Sequence, residues 1–324
     1  MTSLYVDRRG VTLKADGEAL VFFENGARVG TVPLAPLSRV FLRGDVTLSS
    51  SLLGKLGSRG IGVVVLSGRK AEPTLLLGRP HNDAARRVAQ YRLSQDAAFC
   101  LGFSRETVRA KLDAQAAFLA ERRDAEPRSR YLLTLSLRKM EGALAAIDRQ
   151  GSAGQLRGVE GAGAAAYFDG YADLLPEHLK FHRRNRRPPL DPVNAVLSLG
   201  YTLLHAEAVL ALHGAGFDPF IGFYHALDFG RESLACDVVE PLRVEVDRHA
   251  LALFRGEKLR ADDFSMAEGA CLLGKAGRER FYAEWEPVAE RLRKRLGEAI
   301  GELAQKVSAA GTALPAASVD GEAF

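Results

Sequence analysis

The segment Gly78-Arg-Pro-His-Asn-Asp83 separates two parts of the chain that follow different sequence patterns. Residues 1–80 consist of short apolar runs divided by turn residues, whereas from Ala84 onward apolar residues recur at three- and four-residue spacing. The glycine and proline favour a turn, and Asp83 is a typical helix-capping residue. The pattern predicts a β-rich N-terminal part and a larger helical part, an α+β fold rather than alternating βαβ units.

In the N-terminal part, Asn25-Gly26 predicts a type I′ hairpin turn between strands at Ala19–Glu24 and Ala27–Val32. The nearly all-apolar run Ile61–Leu66 predicts a buried strand. Three further strands and one short helix are expected: strands at Val40–Leu42, Val46–Leu48 and Leu75–Leu77, and a helix at Ser49–Gly57.

Helical periodicity continues from residue 84 to residue 307, and the tail 308–324, rich in Ala, Gly and Ser, is expected to be mobile. Pro241 should start or kink the helix that contains it. The predicted helices are Ala84–Leu101, Glu106–Arg123, Ser129–Gln150, Gly163–Leu175, Pro192–Gly214, Leu234–Phe254, Ser265–Gly274 and Gly277–Val307.

Composition excludes several classes of protein. The chain of 324 residues is 47% hydrophobic and 26% charged, which is typical of a folded globular protein. The net charge of +4 permits nucleic-acid binding without requiring it. Three widely spaced cysteines argue against a disulfide framework. No apolar signal core follows Met1, and Val193–Leu204 is too short to span a bilayer, so we expect a cytoplasmic protein without membrane partners.

Glu160 and His225 are candidate functional residues with unusual surroundings. Small residues flank Glu160, so that a metal ion, a helix or a phosphate backbone can approach its carboxylate closely. His225 follows an apolar turn containing glycine. Local sequence alone favours structural roles for both, Glu160 in the first turn of a helix and His225 as a hydrogen-bonded, partly buried side chain.

Asp237 and Glu240 are three residues apart, which places both carboxylates on one helical face. Surface salt bridges explain such a pair as well as metal binding does. Together with Glu160 and His225 they supply the oxygen and nitrogen ligands that suit Mg²⁺ or Mn²⁺. Cys236 is interpreted as a packing residue.

The run Lys180-Phe-His-Arg-Arg-Asn-Arg-Arg187 contains five Lys or Arg in eight positions, together with a histidine. It suits a solvated loop, or a surface that neutralises phosphates and on which Phe181 stacks against a base. Its candidate DNA-binding residues are Lys180, Arg183, Arg184, Arg186 and Arg187.

Five blocks of sequence follow one another along the chain: Val88-Ala-Gln-Tyr-Arg-Leu93, Gly158-Val-Glu-Gly-Ala (158–162) with its continuation to Ala164, Arg186 to Leu204, Pro219-Phe-Ile-Gly-Phe-Tyr-His225 and Leu234-Ala-Cys-Asp-Val-Val-Glu-Pro-Leu-Arg243. Lys111 and Gln115 accompany the first block. In this order the blocks resemble the CRISPR-associated integrase family, the larger subunit (Cas one) of the spacer-acquisition complex. The resemblance extends from about residue 3 to about residue 290.

The resemblance implies an N-terminal β-sandwich with a small helix, over residues 1–80, that forms a homodimer, and an all-α catalytic domain over residues 84–307. It implies a metal-dependent DNA endonuclease and integrase in which Glu160, His225 and Glu240 are the metal ligands and Asp237 a nearby second carboxylate. Many members carry aspartate where this chain has Glu240. The implied partner is a dimer of the small ferredoxin-like CRISPR-associated protein two.

The implied reaction inserts new spacers into a CRISPR array when the 3′-hydroxyl of a DNA fragment attacks a repeat phosphodiester, as part of antiviral defence. Two alternatives remain open from the sequence. One is a nuclease that acts on branched DNA in repair, and the other is a non-catalytic dimeric DNA-binding scaffold.

Overall fold

The computed structural model describes residues 2–67, 72–77, 84–185 and 188–313. Its N-terminal part contains two four-stranded sheets, ordered β1-β5-β7-β8 and β4-β3-β2-β6. The strands are β1 Thr2–Asp7, β2 Val11–Asp16, β3 Ala19–Glu24, β4 Ala27–Pro33, β5 Leu37–Arg43, β6 Val46–Leu48, β7 Gly62–Ser67 and β8 Glu72–Leu76, and helix α1 spans Ser50–Ser58. This arrangement agrees with the expected sandwich and its small helix.

The predicted hairpin is confirmed. β3 pairs with β4 in antiparallel register, and Asn25 and Gly26 both have positive φ, 50° and 81°, as a type I′ turn requires. The strands β1 and β2 were not among those predicted. β1 pairs with β5 in parallel, far along the chain, and nothing in the local pattern of residues 2–7 specifies that partner.

The sheet β1-β5-β7-β8, called the central sheet below, is buried on both faces, which explains the continuous apolar run at 61–66. Val40 and Val63 point into the core between the two sheets. Phe41 and Val64, the next residue along each strand, point the other way and join the core of the helical part. One sheet therefore serves two hydrophobic cores.

The helical part is arranged around α6 (Pro192–Gly214), a long helix with most of its residues buried. Its elements are α2 Ala84–Leu93, α3 Ala97–Ala125, α4 Arg130–Ala146, α5 Ala153–Asp173, α6 Pro192–Gly214, α7 Ser233–Val239, α8 Arg243–Arg255, strands β9 Phe264–Ala267 and β10 Ala270–Leu273, and α9 Lys275–Ala313, with short 3-10 turns at Ile147–Arg149, Glu177–Leu179, Glu240–Leu242 and Ala261–Asp263.

The helix α6 matches its predicted bounds, because Asp191 caps its first turn and Pro192 occupies its first position. In the described part of the chain, α6 alone is long and apolar enough to cross a membrane, and most of its apolar window is buried inside the protein. It is packed as a core helix.

Other helix predictions need correction. The segment Ala84–Leu101 is broken into α2 and α3, because the Asp96 carboxylate accepts hydrogen bonds from two backbone amides and starts a new helix. The proposed cap at Asp83 lies outside the described residues. Pro241 ends α7 in a 3-10 turn before α8 begins, which is the predicted break.

The helix predicted at Ser265–Gly274 is wrong, so the helical part is not all-α. This segment forms the β9–β10 hairpin, with positive φ at Glu268 (54°) and Gly269 (76°). Cys271 and Leu273 on β10 are buried, and this packing outweighs the local helix propensity. At the C-terminus α9 continues to Ala313, six residues beyond the predicted end at 307, and the rest of the predicted mobile tail lies outside the described residues.

The two parts meet through charged groups as well as apolar ones. Glu207 on α6 bonds Arg39 of β5 at 3.0 Å and Arg293 of α9 at 3.1 Å. Glu286 of α9 accepts from the Ser3 amide at 2.9 Å. The ring of Tyr5 stacks between those of Phe41 and Tyr282. These contacts fix β1 and β5 against α6 and α9.

The helix α5 begins ten residues earlier than predicted, at Ala153, where the Ser152 side chain caps it. Glu160 therefore lies within the helix and not in its first turn or in a loop. Gly163 allows α5 to approach α3 closely, because a Cβ at this position would lie 2.6 Å from Leu112 Cδ2.

We predict that Gly163→Ala lowers the free energy of unfolding by about 1–3 kcal/mol, because the added methyl group overpacks the α3–α5 contact. Gly161→Ala is the matched control. Nothing lies within 4 Å of its Cβ position, and the better helix propensity of alanine should raise stability by about 0.5–1 kcal/mol. Urea unfolding measures both, and equal effects of the two substitutions would contradict the close approach.

Candidate metal-dependent active site

The four predicted site residues lie on four elements that meet beside α3. Glu160 is on α5, His225 is on the loop after α6, and Asp237 and Glu240 are on α7 and the 3-10 turn that follows it. Contacts form two groups: Lys111 of α3 pairs with both Glu160 and Glu240, and Asp237 bonds His225. Tyr224, the neighbour of His225 in the chain, connects the two groups because its hydroxyl donates to Glu160.

Asp237 is the anchor of the loop that carries His225. Its Oδ2 atom accepts the backbone amides of Phe223 at 2.8 Å and Tyr224 at 3.1 Å, and its Oδ1 atom accepts the amide of His225 at 2.9 Å. The carboxylate is buried, and these donors fill the positions that a metal ion would need. Asp237 is therefore placed to position the loop rather than to bind an ion.

The imidazole of His225 is oriented by the same carboxylate. Its Nδ1 atom lies 2.7 Å from Asp237 Oδ1, and since a carboxylate only accepts, Nδ1 carries the proton. In the neutral ring the Nε2 atom then keeps its lone pair, which is the usual arrangement of a histidine ligand held by a carboxylate. The side chain is 23% exposed, so the site is open to solvent at this point.

Glu160 and Glu240 are held by a buried lysine. Lys111 Nζ bonds Glu160 Oε1 and lies 2.6 Å from Glu240 Oε2, and its side chain is only 8% exposed. Burial lowers the pKa of Lys111, but the two carboxylates outweigh burial and raise it. Lys111 is therefore protonated at neutral pH.

Each carboxylate has a second partner. The Tyr224 hydroxyl donates to Glu160 Oε2 at 2.5 Å, and Arg243 Nε donates to Glu240 Oε1 at 2.8 Å. Burial raises the pKa of Glu240, yet Arg243 and Lys111 together hold it well below the usual range. Both oxygens of each glutamate are thus oriented before any ligand arrives.

A polar chain extends from Arg243 into the core. Arg243 stacks 4.8 Å above the ring of Tyr201, whose hydroxyl bonds Asp247, and Tyr167 donates to the same carboxylate at 2.9 Å. Burial raises the pKa of Asp247 to about 6, although the two tyrosine hydroxyls oppose the shift. This chain fixes the guanidinium of Arg243 against Glu240.

The donor set suits a hard divalent cation, since it combines two carboxylates with one imidazole nitrogen that carries a lone pair. Within residues 2–67, 72–77, 84–185 and 188–313, no three His, Cys, Asp or Glu side chains are grouped closely enough to hold an ion as they stand. The space between Glu160 and Glu240 contains the Lys111 ammonium instead.

The basic run divides into different environments. The guanidinium of Arg184 donates to Asn194 at 2.7 Å and to Ser198 at 3.0 Å, which assigns it a structural role. Phe181 is buried against Phe168 and Tyr171, so its ring is not available to stack on a base, which was one of the two interpretations of the run. Two members are exposed, Lys180 and Arg183, and two lie outside the described residues, Arg186 and Arg187.

Sequence reasoning assigned no role to Lys111 or Tyr224, although both contact Glu160. A signal for Lys111 was present. Val108, Lys111, Leu112 and Gln115 follow helical spacing on the buried face of α3, and a lysine there needs a partner. Tyr224 gave no such signal, because its contact depends on how the loop folds back toward α5.

The chain matches the family described as "CRISPR associated protein Cas1" over residues 4–287. It is 40% identical over 302 residues to a CRISPR-associated endonuclease Cas1 of Thermodesulfovibrio yellowstonii, covering 90% of this chain and 93% of that protein. Its fold is similar to that of a CAS1 protein from Thermotoga maritima, with a TM-score of 0.84 at 20% identity over all of both chains. A casposase bound to integration product has a TM-score of 0.83 at 22% identity, covering 96% and 91%.

We predict that Asp237→Asn leaves His225 as a mixture of its two tautomers, because the carboxylate no longer selects the Nδ1–H form. The free energy of unfolding should fall by about 1–3 kcal/mol, because buried amide donors lose a carboxylate acceptor. Nitrogen-15 NMR of the imidazole should show protonated Nδ1 in the wild type and a mixture of tautomers in the variant. Asp228→Asn, an exposed carboxylate of the same loop, is the control. A single unchanged Nδ1–H tautomer in Asp237→Asn would contradict the anchoring role.

The start of α7, which carries Asp237, is held by His205 of α6, whose Nε2 atom lies 3.2 Å from Glu232 Oε2. Burial lowers the pKa of His205, but hydrogen bonds with Cys236 and Glu232 outweigh burial and raise it to about 9. The raised pKa means that this contact stabilises the fold fully below pH 6.5 and that the contribution is lost as pH rises through about 9. The free energy of unfolding, measured with urea, should therefore fall more steeply between pH 6.5 and about 9 in the wild type than in His205→Gln. Identical slopes would contradict the ion pair.

Proposed function

The chain belongs to the Cas1 family of CRISPR-associated proteins, and we propose that its nuclease and integrase chemistry is carried out at the cluster of Glu160, His225 and Glu240 on a bound Mg²⁺ or Mn²⁺ ion. Family membership makes it a CRISPR-associated endonuclease and integrase. The metal dependence, the ligands and the course of the reaction are the proposal. The observation that supports it most is the His225 ring, which Asp237 orients so that its Nε2 lone pair is free.

The ligands of the ion would be Glu160, Glu240 and the Nε2 atom of His225. When bound, a divalent ion polarises the scissile phosphate and stabilises the charge that develops on the leaving oxygen. Asp237 keeps the histidine in the ligating tautomer, and Tyr224 keeps Glu160 oriented. Arg243 balances the charge of Glu240 through its hydrogen bond to Oε1 and makes no contact with Oε2, which faces Lys111.

The proposed reaction is a transesterification. The 3′-hydroxyl of a DNA fragment attacks the phosphorus of a phosphodiester at the end of a CRISPR repeat. A new phosphorus–oxygen bond forms, the bond to the 3′-oxygen of the repeat strand breaks, and the proton passes from the attacking hydroxyl to the leaving oxygen or to solvent. Two such events insert one spacer. In hydrolysis, water replaces the 3′-hydroxyl.

We propose DNA as substrate, a homodimer formed through the N-terminal sheets, and a dimer of the small ferredoxin-like CRISPR-associated protein two as partner. Edge strand β4, which carries the exposed Val29, is consistent with a protein contact on that side. The exposed Lys180 and Arg183 are proposed to contact the phosphate backbone and not base edges.

We predict that Glu160→Gln and His225→Ala lower metal-dependent joining more than about 100-fold, since each loses a ligand and not only a supporting contact. The assay uses a labelled duplex with free 3′-hydroxyls, a repeat-bearing plasmid, the small partner protein, and Mn²⁺ or EDTA. The controls are Glu298→Gln and His178→Ala, which change exposed residues of the same types.

Joined product that requires Mn²⁺ and disappears in both folded variants is the expected result. Cleavage of branched DNA without joining would favour a repair nuclease. DNA binding without either reaction, unaffected by the two substitutions, would favour a non-catalytic scaffold and overturn the proposal.

A further inference from the structure

We propose that Lys111 is a built-in counter-ion of the metal site, which holds Glu160 and Glu240 together in the metal-free protein and must be displaced before a divalent ion can bridge them. Lys111 thereby sets the metal affinity of the site. This inference rests on the proposed function, because it takes the two glutamates as ligands of the ion.

The position of the ammonium group supports this role. Lys111 Nζ contacts one oxygen of each glutamate, and the other oxygens are occupied by Tyr224 and Arg243. Lys111 is therefore the partner that the two carboxylates share. A cation that took both of these oxygens as ligands would compete with Lys111 Nζ for them.

Burial excludes the usual alternative for a basic residue in a nuclease. The side chain of Lys111 is 8% exposed and that of Glu240 is 4% exposed, so Lys111 does not reach a DNA backbone on the surface. The side chain of Glu160 is 16% exposed, whereas that of Glu240 is buried. Without a cation between them the two carboxylates would repel each other, and Glu240 would carry a large desolvation cost. A positive charge at this point is required whenever the metal is absent.

Electrostatics then makes the lysine and the metal competitors. Two cations cannot occupy neighbouring positions between the same carboxylates without strong repulsion in a poorly solvated site. Arg243 is stacked on Tyr201 and fixed there, whereas Lys111 has a flexible four-carbon stem. Lys111 is the cation that can withdraw.

The test compares Mn²⁺ binding by isothermal titration calorimetry in the wild type, Lys111→Met and Lys111→Arg. Removing the competing charge should tighten Mn²⁺ binding about tenfold or more in Lys111→Met, while Lys111→Arg, which keeps the charge, should not bind more tightly than the wild type. The melting temperature of Lys111→Met should fall without metal and recover with Mn²⁺. Lys139→Met, which removes an exposed lysine paired with Asp169, is the matched control.

A second measurement uses the wild-type protein and does not depend on the folding of a variant. Reductive methylation followed by mass spectrometry should modify Lys111 slowly in EDTA and several-fold faster in saturating Mn²⁺, because the displaced amine becomes accessible. Lys139 should be modified at the same rate in both conditions.

The possible outcomes separate this inference from the proposed function. Mn²⁺ binding to the wild type with no tightening in a folded Lys111→Met, or labelling of Lys111 that Mn²⁺ does not change, overturns the counter-ion role and leaves the metal site intact. Absence of Mn²⁺ binding in both the wild type and Lys111→Met overturns the metal site and this inference with it.

Discussion

The site depends on one buried carboxylate. Asp237 takes the amides of three consecutive residues, 223–225, and the imidazole of His225, and this set of bonds converts a loop into a fixed turn. Gly222 makes the approach possible, since a Cβ there would lie 2.8 Å from Asp237 Oδ2 and 2.9 Å from the Ser233 carbonyl carbon. The loop therefore packs directly on α7, and His225 reaches the site with its ring already oriented.

The buried charges around that turn are costly to the fold. Lys111, Glu160, Glu240 and Arg243 form an ionic network next to the core, and well-packed apolar side chains of similar volume would often stabilise a protein as well or better. The network is therefore better explained by its role in the site than by a contribution to stability. It holds the carboxylates of Glu160 and Glu240 close together and fixes their orientation, which a pair of cation ligands requires.

How much of the fold could be predicted from the sequence depends on how far apart in the chain the interacting residues are. The Asn25-Gly26 hairpin and the start of α6 are set by residues within a few positions, and both were predicted correctly. The hairpin at 264–273 and the helical surroundings of Glu160 depend on packing against distant elements, and local propensity misplaced them.

The site shows the same division. The residue types at 160, 225, 237 and 240 were found from sequence, and the structure brings them together. The separate roles of these residues were not predicted, because they depend on tertiary contacts. Asp237 accepts hydrogen bonds from the amides of a loop, and Glu160 and Glu240 share a lysine on α3. In the basic run, Arg184 turned inward toward Asn194, a contact that charge counting does not reveal.

The central helix α6 connects these features to the sheets. His205 contacts Glu232 at the start of α7, and Glu207, two residues later and about 200° around the helix, bonds Arg39 on the central sheet. Opposite sides of one rigid helix thus hold the helix that carries Asp237 and the strand region at residues 37–43. Both contacts are directional, and the one made by Glu207 is buried. The helix α6 therefore fixes the orientation of the site relative to the sheets, and any assembly that binds the sheets also determines the direction in which the site faces.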